Sequence, residues 1–395
     1  MVSKSVVIGV TGGIAAYKAL DVVSKLKKQD IEVNVIMTKS AAKFVTPLSF
    51  QSLSQNLVSI DTFDEPKSWE IRHISLAKKA DVMLVVPATA NIIGKVANGI
   101  ADDMLSTTIM ATKATVIFAP SMNTNMFKNP IVQNNISKLK EYGYKFIQPD
   151  SGRLACGDVG EGKLANTDVI VDSVLKELYD KKDLVGKKVL VTAGPTIAPM
   201  DPVRYITNKS SGKMGYAIAK EARDRGAEVI LVHGATKIEP PFGVKTISVN
   251  TNEEMLNAVL KNFDKQDIII KAAAVSDYKP KNYSNQKIKK KNDEFTLELV
   301  KDNDILRKLG QMKKNQILVG FAAESNDLIK NATGKLEKKN LDYIVANDIT
   351  APDTGFISDD NKVTILCRDG RVIPIEKISK REVARRLFDL INENV

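Results

Sequence analysis

The chain has 395 residues, with 43% hydrophobic and 27% charged residues, two cysteines and a net charge of +11 at pH 7. That length exceeds one typical core and suits two domains of about 200 residues. No apolar run reaches the 18 residues of a membrane span, and two cysteines exclude a disulfide framework.

The positive charge admits nucleic acid, an anionic membrane surface or small anionic substrates. The lysines are spread over helical stretches, with one dense patch at Lys279 to Lys291, and the 6% of aromatic residues are not interleaved with them. Stacking platforms for nucleic acid are therefore missing, and small phosphate-bearing molecules are the expected partners, with neither nucleic acid nor membrane. Met1 runs into a first strand without the apolar segment and small-residue cleavage site of a signal peptide. With unpaired cysteine usage this gives a cytoplasmic expectation.

Short apolar runs alternate with amphipathic stretches, the βαβ pattern of a parallel sheet covered on both faces. Strands are expected at Ser5–Val10, Glu32–Met37, Asp81–Val86, Thr115–Ala119 and Lys145–Ile147. Helices are expected at Ile14–Lys27, Ile74–Lys79, Ala90–Val96, Met104–Thr112, Val132–Tyr142 and Val169–Tyr179. This predicts an N-terminal flavodoxin-like or Rossmann-like parallel sheet domain over residues 1–184. Asp180-Lys-Lys-Asp-Leu-Val-Gly-Lys-Lys reads as a polar linker, after which the pattern restarts. A second Rossmann-like α/β domain is expected over 185–395. Its strands are Val189–Thr192, Glu228–Val232, Asp267–Lys271, Gln316–Gly320 and Tyr343–Ala346. A late β-hairpin follows, Lys362–Cys367 and Arg371–Ile375, turned by Asp369-Gly370. Ser379 is placed to cap a last helix ending near Asn392.

In the first half, Gly9-Val-Thr-Gly-Gly-Ile-Ala-Ala-Tyr-Lys joins a strand to a helix, and its Gly12 and Gly13 allow backbone N–H groups to approach a phosphate. The spacing is not that of a dinucleotide fingerprint. Thr38, the Ala88-Thr89 turn and Ser106 fall on the same sheet edge, together what an FMN phosphate and ring need. His73 heads a helix, where taken alone it reads first as an exposed cap neighbour. Asn123, in Pro120-Ser-Met-Asn-Thr-Asn-Met-Phe, follows a buried strand and can grip a carboxylate. Cys156 lies in the glycine-dense Leu154-Ala-Cys-Gly-Asp-Val-Gly-Glu-Gly-Lys-Leu, a setting that exposes a thiol. These segments, with Arg72-His-Ile-Ser-Leu and Ala97-Asn-Gly-Ile-Ala-Asp-Asp, resemble the homo-oligomeric flavin-containing cysteine decarboxylases, and within them phosphopantothenoylcysteine decarboxylase. The resemblance implies that FMN oxidises the substrate thiol to a thioaldehyde, which lets carbon dioxide leave without a metal. It implies that His73 assists decarboxylation, that Asn123 holds the substrate carboxylate and that Cys156 protonates the intermediate. Where the family has tryptophan after the methionine this chain has Phe127, which keeps an aromatic platform.

In the second half, Asn208-Lys-Ser-Ser-Gly before a helix offers polar side chains and free N–H groups to a phosphate, or is only a capping loop. Together with Ala272-Ala-Ala-Val-Ser-Asp-Tyr, Lys287-Ile-Lys-Lys, Gly320-Phe-Ala-Ala-Glu and Lys335-Leu-Glu-Lys-Lys-Asn it resembles phosphopantothenate–cysteine ligase. That resemblance implies joining of 4′-phosphopantothenate to cysteine through an acyl-cytidylate made from CTP and stabilised by Asn208. It gives Lys287 a role in catalysis as well as in nucleotide binding. The CTP pocket it implies comprises Ala272, Ala273, Asp277, Lys287, Asn303, Asp304, Ile305, Leu306, Phe321, Lys335 and Lys339, with Asp277 also near Mg²⁺. Asn303-Asp304-Ile305 departs from the family's Pro-Asp-Ile, a change on the nucleotide side that leaves the reaction itself untouched. The ligase product, phosphopantothenoylcysteine, is the decarboxylase substrate, so the chain is expected to be a bifunctional enzyme. Trimeric packing of decarboxylase units and dimeric packing of ligase units are further implied, up to a dodecamer. Two rivals stand beside this reading: one active half with the other a scaffold, and a flavin-binding electron-transfer or regulatory protein with a basic nucleic-acid surface.

Overall fold

The computed structural model describes residues 4–63, 70–155, 157–289, 295–324, 327–348 and 358–393. Cys156 lies outside the described residues. The chain divides into two compact units, Met1–Asp180 and Lys181–Val395. No helix among the described residues is long and apolar enough to cross a membrane.

In the first unit, β1 (Ser5–Val10), β2 (Glu32–Met37), β3 (Val82–Ala88), β4 (Thr115–Pro120) and β5 (Lys145–Phe146) form a parallel sheet of order β2-β1-β3-β4-β5. Its central strands are unbroken apolar runs because both faces are covered. Helices Lys18–Lys27 and Thr167–Leu178 bury Val22, Val23, Leu26 and Val174 on one side, and Ala90–Ala97 and Met104–Ala111 bury Ile93, Val96 and Ile109 on the other. This is the flavodoxin-like order, in which the chain reverses direction between β1 and β3 and opens a crevice at their C-terminal ends. The helix expected from Ile14 opens as a 3₁₀ turn, Ile14–Tyr17, after an N-cap glycine that has no side chain to cap it. A hairpin of β6 (Asp150–Arg153) and β7 (Val159–Lys163), read from sequence only as a glycine-rich loop, also forms. It lacks the alternation that marks a half-buried strand.

The second unit contains β8 (Lys188–Ala193), the short pair β9 (Ile197–Pro199) and β10 (Tyr205–Thr207), β11 (Glu228–His233), β12 (Lys245–Ser248) and β13 (Ile268–Lys271). It continues with the pair β14 (Tyr278–Pro280) and β15 (Leu299–Lys301), then β16 (Ile317–Glu324), β17 (Tyr343–Asp348), β18 (Asp360–Cys367) and β19 (Val372–Ser379). Eight of these make one sheet, β12-β11-β8-β13-β16-β17-β18-β19, parallel as far as β17 and antiparallel beyond. The expected Rossmann-like sheet and its late hairpin are both present. Gly370 turns the hairpin with φ +91°, and the Ser379 side chain caps the final helix Lys380–Asn392 by accepting from the Glu382 N–H. The segment read as a linker is held by this unit. Leu184 is fully buried in its core, and Asp183 pairs with Arg225 at 3.2 Å. The chain reverses direction between β8 and β13, which again sets a crevice at strand C-termini.

Candidate active sites

The first crevice, about 820 Å³, is lined by Thr11, Gly12, Thr38, Ser40, Thr89 and Lys95 among others. Its floor is pinned by Thr11, whose Oγ1 donates to the Pro87 carbonyl (2.7 Å) and accepts from the Thr89 N–H (3.2 Å). One threonine thus ties together the ends of β1 and β3. Gly12 must be glycine, because a Cβ there would lie 2.4 Å from Ser40 Cβ. The close approach leaves a strip of backbone and hydroxyl groups suited to a phosphate. Of the expected flavin residues, Gly12, Thr38 and Thr89 line this crevice. Ala88 is fully buried in β3, and Gly13 lies beside Thr89 without lining the space. Ser106 does not reach it either. That residue is fully buried, and its hydroxyl and N–H both bond Asp103 in a capping box. Its hydroxyl is consumed by the helix start that the sequence motif encodes. Thr11, Ser40 and Lys95 are lining residues that the sequence reading did not single out. Lys95 is held by Asp102 (2.6 Å) and Asp103 (2.9 Å).

Asn123 caps the short helix Thr124–Lys128 through Oδ1, and its Nδ2 donates to Asp158 Oδ2 at 2.8 Å. Asp158 sits in the turn of the β6–β7 hairpin, which lies directly on the Asn123 loop. The Met122 N–H donates to the Gly162 carbonyl (2.9 Å), and a Cβ on Gly160 would meet the Thr124 side chain at 2.8 Å. The glycines of this segment let one backbone lie on another, which brings the residues flanking Cys156 to Asn123. His73 is the second residue of helix Arg72–Lys79, half-buried, and does not line the crevice. Phe127 is buried at 6% exposure and lines a separate cavity of about 280 Å³ with Pro120, Gln133 and Phe146.

The second crevice, about 380 Å³, gathers Asn208, Ala272, Ala273, Asp277, Asp304, Leu306, Phe321, Lys335 and Lys339 from segments far apart in the chain. Asn208 Nδ2 donates to the carbonyls of Ala274 and Val275, both at 3.0 Å. Asp304 caps helix Ile305–Met312 and pairs with Lys339 at 2.8 Å. Three expected residues lie elsewhere. Ile305 is fully buried in the core, because the first apolar position of that helix faces inward. Asn303 is exposed and contributes its carbonyl to Asn252 Nδ2 (2.9 Å). Lys287 is exposed beside Ile288, whose N–H and carbonyl are held by Asp201 and Arg204. Among the described residues no three His, Cys, Asp or Glu side chains gather as a metal-ligand set.

Lys271, Lys213, Lys380, Asn347 and Asn361 also line this crevice and were not anticipated. For Lys271 a signal existed, since a lysine ends the apolar strand Ile268–Lys271 at the edge where ligands collect. Burial, followed by the nearby Lys339 charge, pushes its pKa down to about 8.

Residues 184–395 match the family described as "DNA/pantothenate metabolism flavoprotein C-terminal domain", and residues 1–179 match "Flavoprotein". The coenzyme A biosynthesis bifunctional protein CoaBC of Bacillus subtilis is 48% identical, covering 99% of this chain and 96% of its own. Its Escherichia coli counterpart is 42% identical, covering 99% and 97%. Among solved structures, the C-terminal domain of a CoaBC protein is 44% identical and covers 54% of this chain and 97% of its own, with a TM-score of 0.47. A PPC decarboxylase mutant complexed with pantothenoylaminoethenethiol is 32% identical and covers 44% and 97%, with a TM-score of 0.40. On the full-length identities and the match over 184–395, the chain belongs to the coenzyme A biosynthesis bifunctional protein family.

Proposed function

We propose that residues 185–395 join 4′-phosphopantothenate to cysteine at the expense of CTP, and that residues 1–184 decarboxylate the product to 4′-phosphopantetheine with FMN. Family membership supports the pairing, because the product of one half is the substrate of the other. The observation that carries the ligase reading is the convergence of Asn208, Asp277, Lys271, Lys335 and Lys339 on one crevice at a sheet's reversal point.

A carboxylate is a poor acyl donor until one oxygen carries a better leaving group. In the ligase unit a 4′-phosphopantothenate oxygen attacks the α-phosphorus of CTP, the bond to pyrophosphate breaks, and Lys271, Lys335 and Lys339 offset the charge that develops. Asn208, fixed by two backbone carbonyls, orients the acyl-cytidylate. Asp277 is the carboxylate that would face a Mg²⁺ bound with the nucleotide, and the ion would offset charge on the leaving pyrophosphate. Lys287, exposed beside Ile288 and outside the crevice lining, acts on the nucleotide from that side.

In the decarboxylase unit the crevice of Thr11, Gly12, Thr38, Ser40 and Thr89 fits the phosphate and ring of FMN. FMN supplies a two-electron sink for the substrate thiol. Asn123 holds the departing carboxylate, Cys156 returns a proton and His73 assists loss of carbon dioxide on flavin held by a neighbouring subunit. Homo-oligomers, trimeric through the decarboxylase and dimeric through the ligase, and a cytoplasmic location complete this reading.

The purified protein is expected to be yellow and to release pyrophosphate from CTP only when 4′-phosphopantothenate is present. Release without that acid sinks the ligase reading, and a flavin-free preparation that evolves no carbon dioxide from phosphopantothenoylcysteine sinks the other. A pH prediction follows from Lys271. Free, it loses its proton near pH 8, and a bound triphosphate restores it. Affinity for CTP should therefore be flat below pH 8 and fall by up to tenfold per pH unit above it. Calorimetry at pH 8.5 in buffers of different ionisation heat should show proton uptake on binding, absent in Lys271→Met.

A further inference from the structure

Helix Leu328–Lys338 ends in a left-handed turn. Asn340 has φ +52°, its N–H donates to the Glu337 carbonyl (3.1 Å), and the Leu341 N–H donates to the Leu336 carbonyl (3.0 Å). This is the Schellman ending, in which glycine is the usual left-handed residue because it has no Cβ to strain. Asparagine is tolerated at that position, and here its side chain makes two bonds beyond the turn. Nδ2 donates to the Gly310 carbonyl (3.0 Å), and Oδ1 accepts from Arg368 Nη1 (2.8 Å).

Gly310 is buried in the last turn of helix Ile305–Met312, and a Cβ on it would lie 1.9 Å from the Lys339 carbonyl oxygen. The two backbones therefore touch with no side chain between them. At the other end of the same helix, about 9 Å away along the axis, the N-cap Asp304 takes the Lys339 ammonium at 2.8 Å. Lys339 is thus held along this helix by both its carbonyl and its ammonium. It needs such holding. In the crevice it stands with two like charges, Lys271 and Lys335, and with Asp277 and Asp304 as the opposing ones. Repulsion favours a retracted ammonium whenever no anion lies between the lysines, and a long side chain loses entropy when it is fixed.

We propose that Asn340 is a positioning residue of the ligase: through its bond to Gly310 it holds Lys339 beside Lys271 and Asp304 before the nucleotide arrives. The inference rests on the ligase reading given above. Asn340 lies outside the crevice lining and touches no substrate. It acts by preorganisation, so that binding does not have to gather the cations. Its effect belongs to the nucleotide and not to the later attack of cysteine. Lys271 reports the arrangement. Burial lowers its pKa first and the Lys339 charge second, so a retracted Lys339 lets that pKa rise.

Asn340→Gly keeps the left-handed turn and removes both side-chain bonds. The thermal midpoint of the full-length variant is expected within about 2 °C of wild type. In 4′-phosphopantothenate-dependent exchange of labelled pyrophosphate into CTP, its KM for CTP should rise about tenfold, with the maximal rate and the KM for cysteine within about twofold. The fall in CTP affinity above pH 8 should begin at a higher pH than in wild type. Asn340→Asp keeps the Arg368 partner but cannot donate to Gly310, and should raise the same KM. An unchanged KM for CTP in Asn340→Gly overturns the proposal. So does a loss spread equally over CTP, 4′-phosphopantothenate and cysteine with an unmoved pH profile, the mark of a general structural role. No exchange in the wild type would remove the ligase reading itself, and the proposal with it.

Discussion

Gly162→Ala is expected to slow decarboxylation about 100-fold while leaving CTP-dependent pyrophosphate release unchanged. Gly162 has φ +130°, and a Cβ there would lie 2.3 Å from the Met122 carbonyl oxygen. Backbone cannot yield as a side-chain tip does, so the hairpin must lift from the Asn123 loop. Lifting stretches the Asn123–Asp158 hydrogen bond (2.8 Å) and carries Asp158 away from Asn123, the residue proposed above to hold the carboxylate. Reacting groups misplaced by about an ångström lose on the order of 100-fold in rate. Gly143→Ala is the control. It also has a left-handed φ, +89°, but nothing within 4 Å of its Cβ. It should cost about 1 kcal/mol of backbone strain and leave both activities intact. Carbon dioxide release from phosphopantothenoylcysteine, followed in both variants, tests the contact against the strain. Equal rates in Gly162→Ala and wild type would show that the hairpin does not position the reaction.

Arg225→Met is expected to destabilise the second unit by about 3–5 kcal/mol, the range for removing one partner of a buried ion pair. Arg225 is fully buried at the end of helix Lys213–Asp224. Its Nε donates to Glu221 (2.7 Å), Nη1 to Asp183 (3.2 Å), and Nη2 to Asp389 (2.6 Å) and the Arg385 carbonyl (2.9 Å). Burial alone would lower its pKa, but Glu221 and Asp389 outweigh that and keep the guanidinium charged. Methionine fills the volume but leaves the fully buried Glu221 with Arg381 (2.7 Å) in place of two arginines. By calorimetry the transition of the second unit should drop by roughly 10 °C while that of the first stays in place. A shift below 2 °C would mean that the network contributes specificity and little stability.

The amino-acid sequence by itself determined where the central parallel strands lie, because strands covered on both faces are rich in apolar runs, as at Ser5–Val10 and Asp81–Val86, whereas the short pairs β6–β7, β9–β10 and β14–β15 and the edge strand β12 carry no such run. It determined the Asp369-Gly370 turn and the Ser379 cap, since each depends on residues within a few positions. It also pointed to Thr38, Thr89, Asp277, Lys335 and Lys339, which stand in or just past motifs at strand ends or on the helix beside them. The tertiary structure decided everything that depends on which segments become neighbours. Ser106 looked like a ligand hydroxyl until the Asp103 cap consumed it, and Ile305 looked like a pocket residue until its helix turned it inward. Asn347 and Asn361 are unremarkable in sequence. They become orphaned acceptors in one crevice because β17 and β18 pair antiparallel and bring them to it. Likewise, the low pKa of Lys271 arises from burial and from Lys339 on another element. Local order follows from local chemistry, whereas desolvation and partnership are properties of the packed chain.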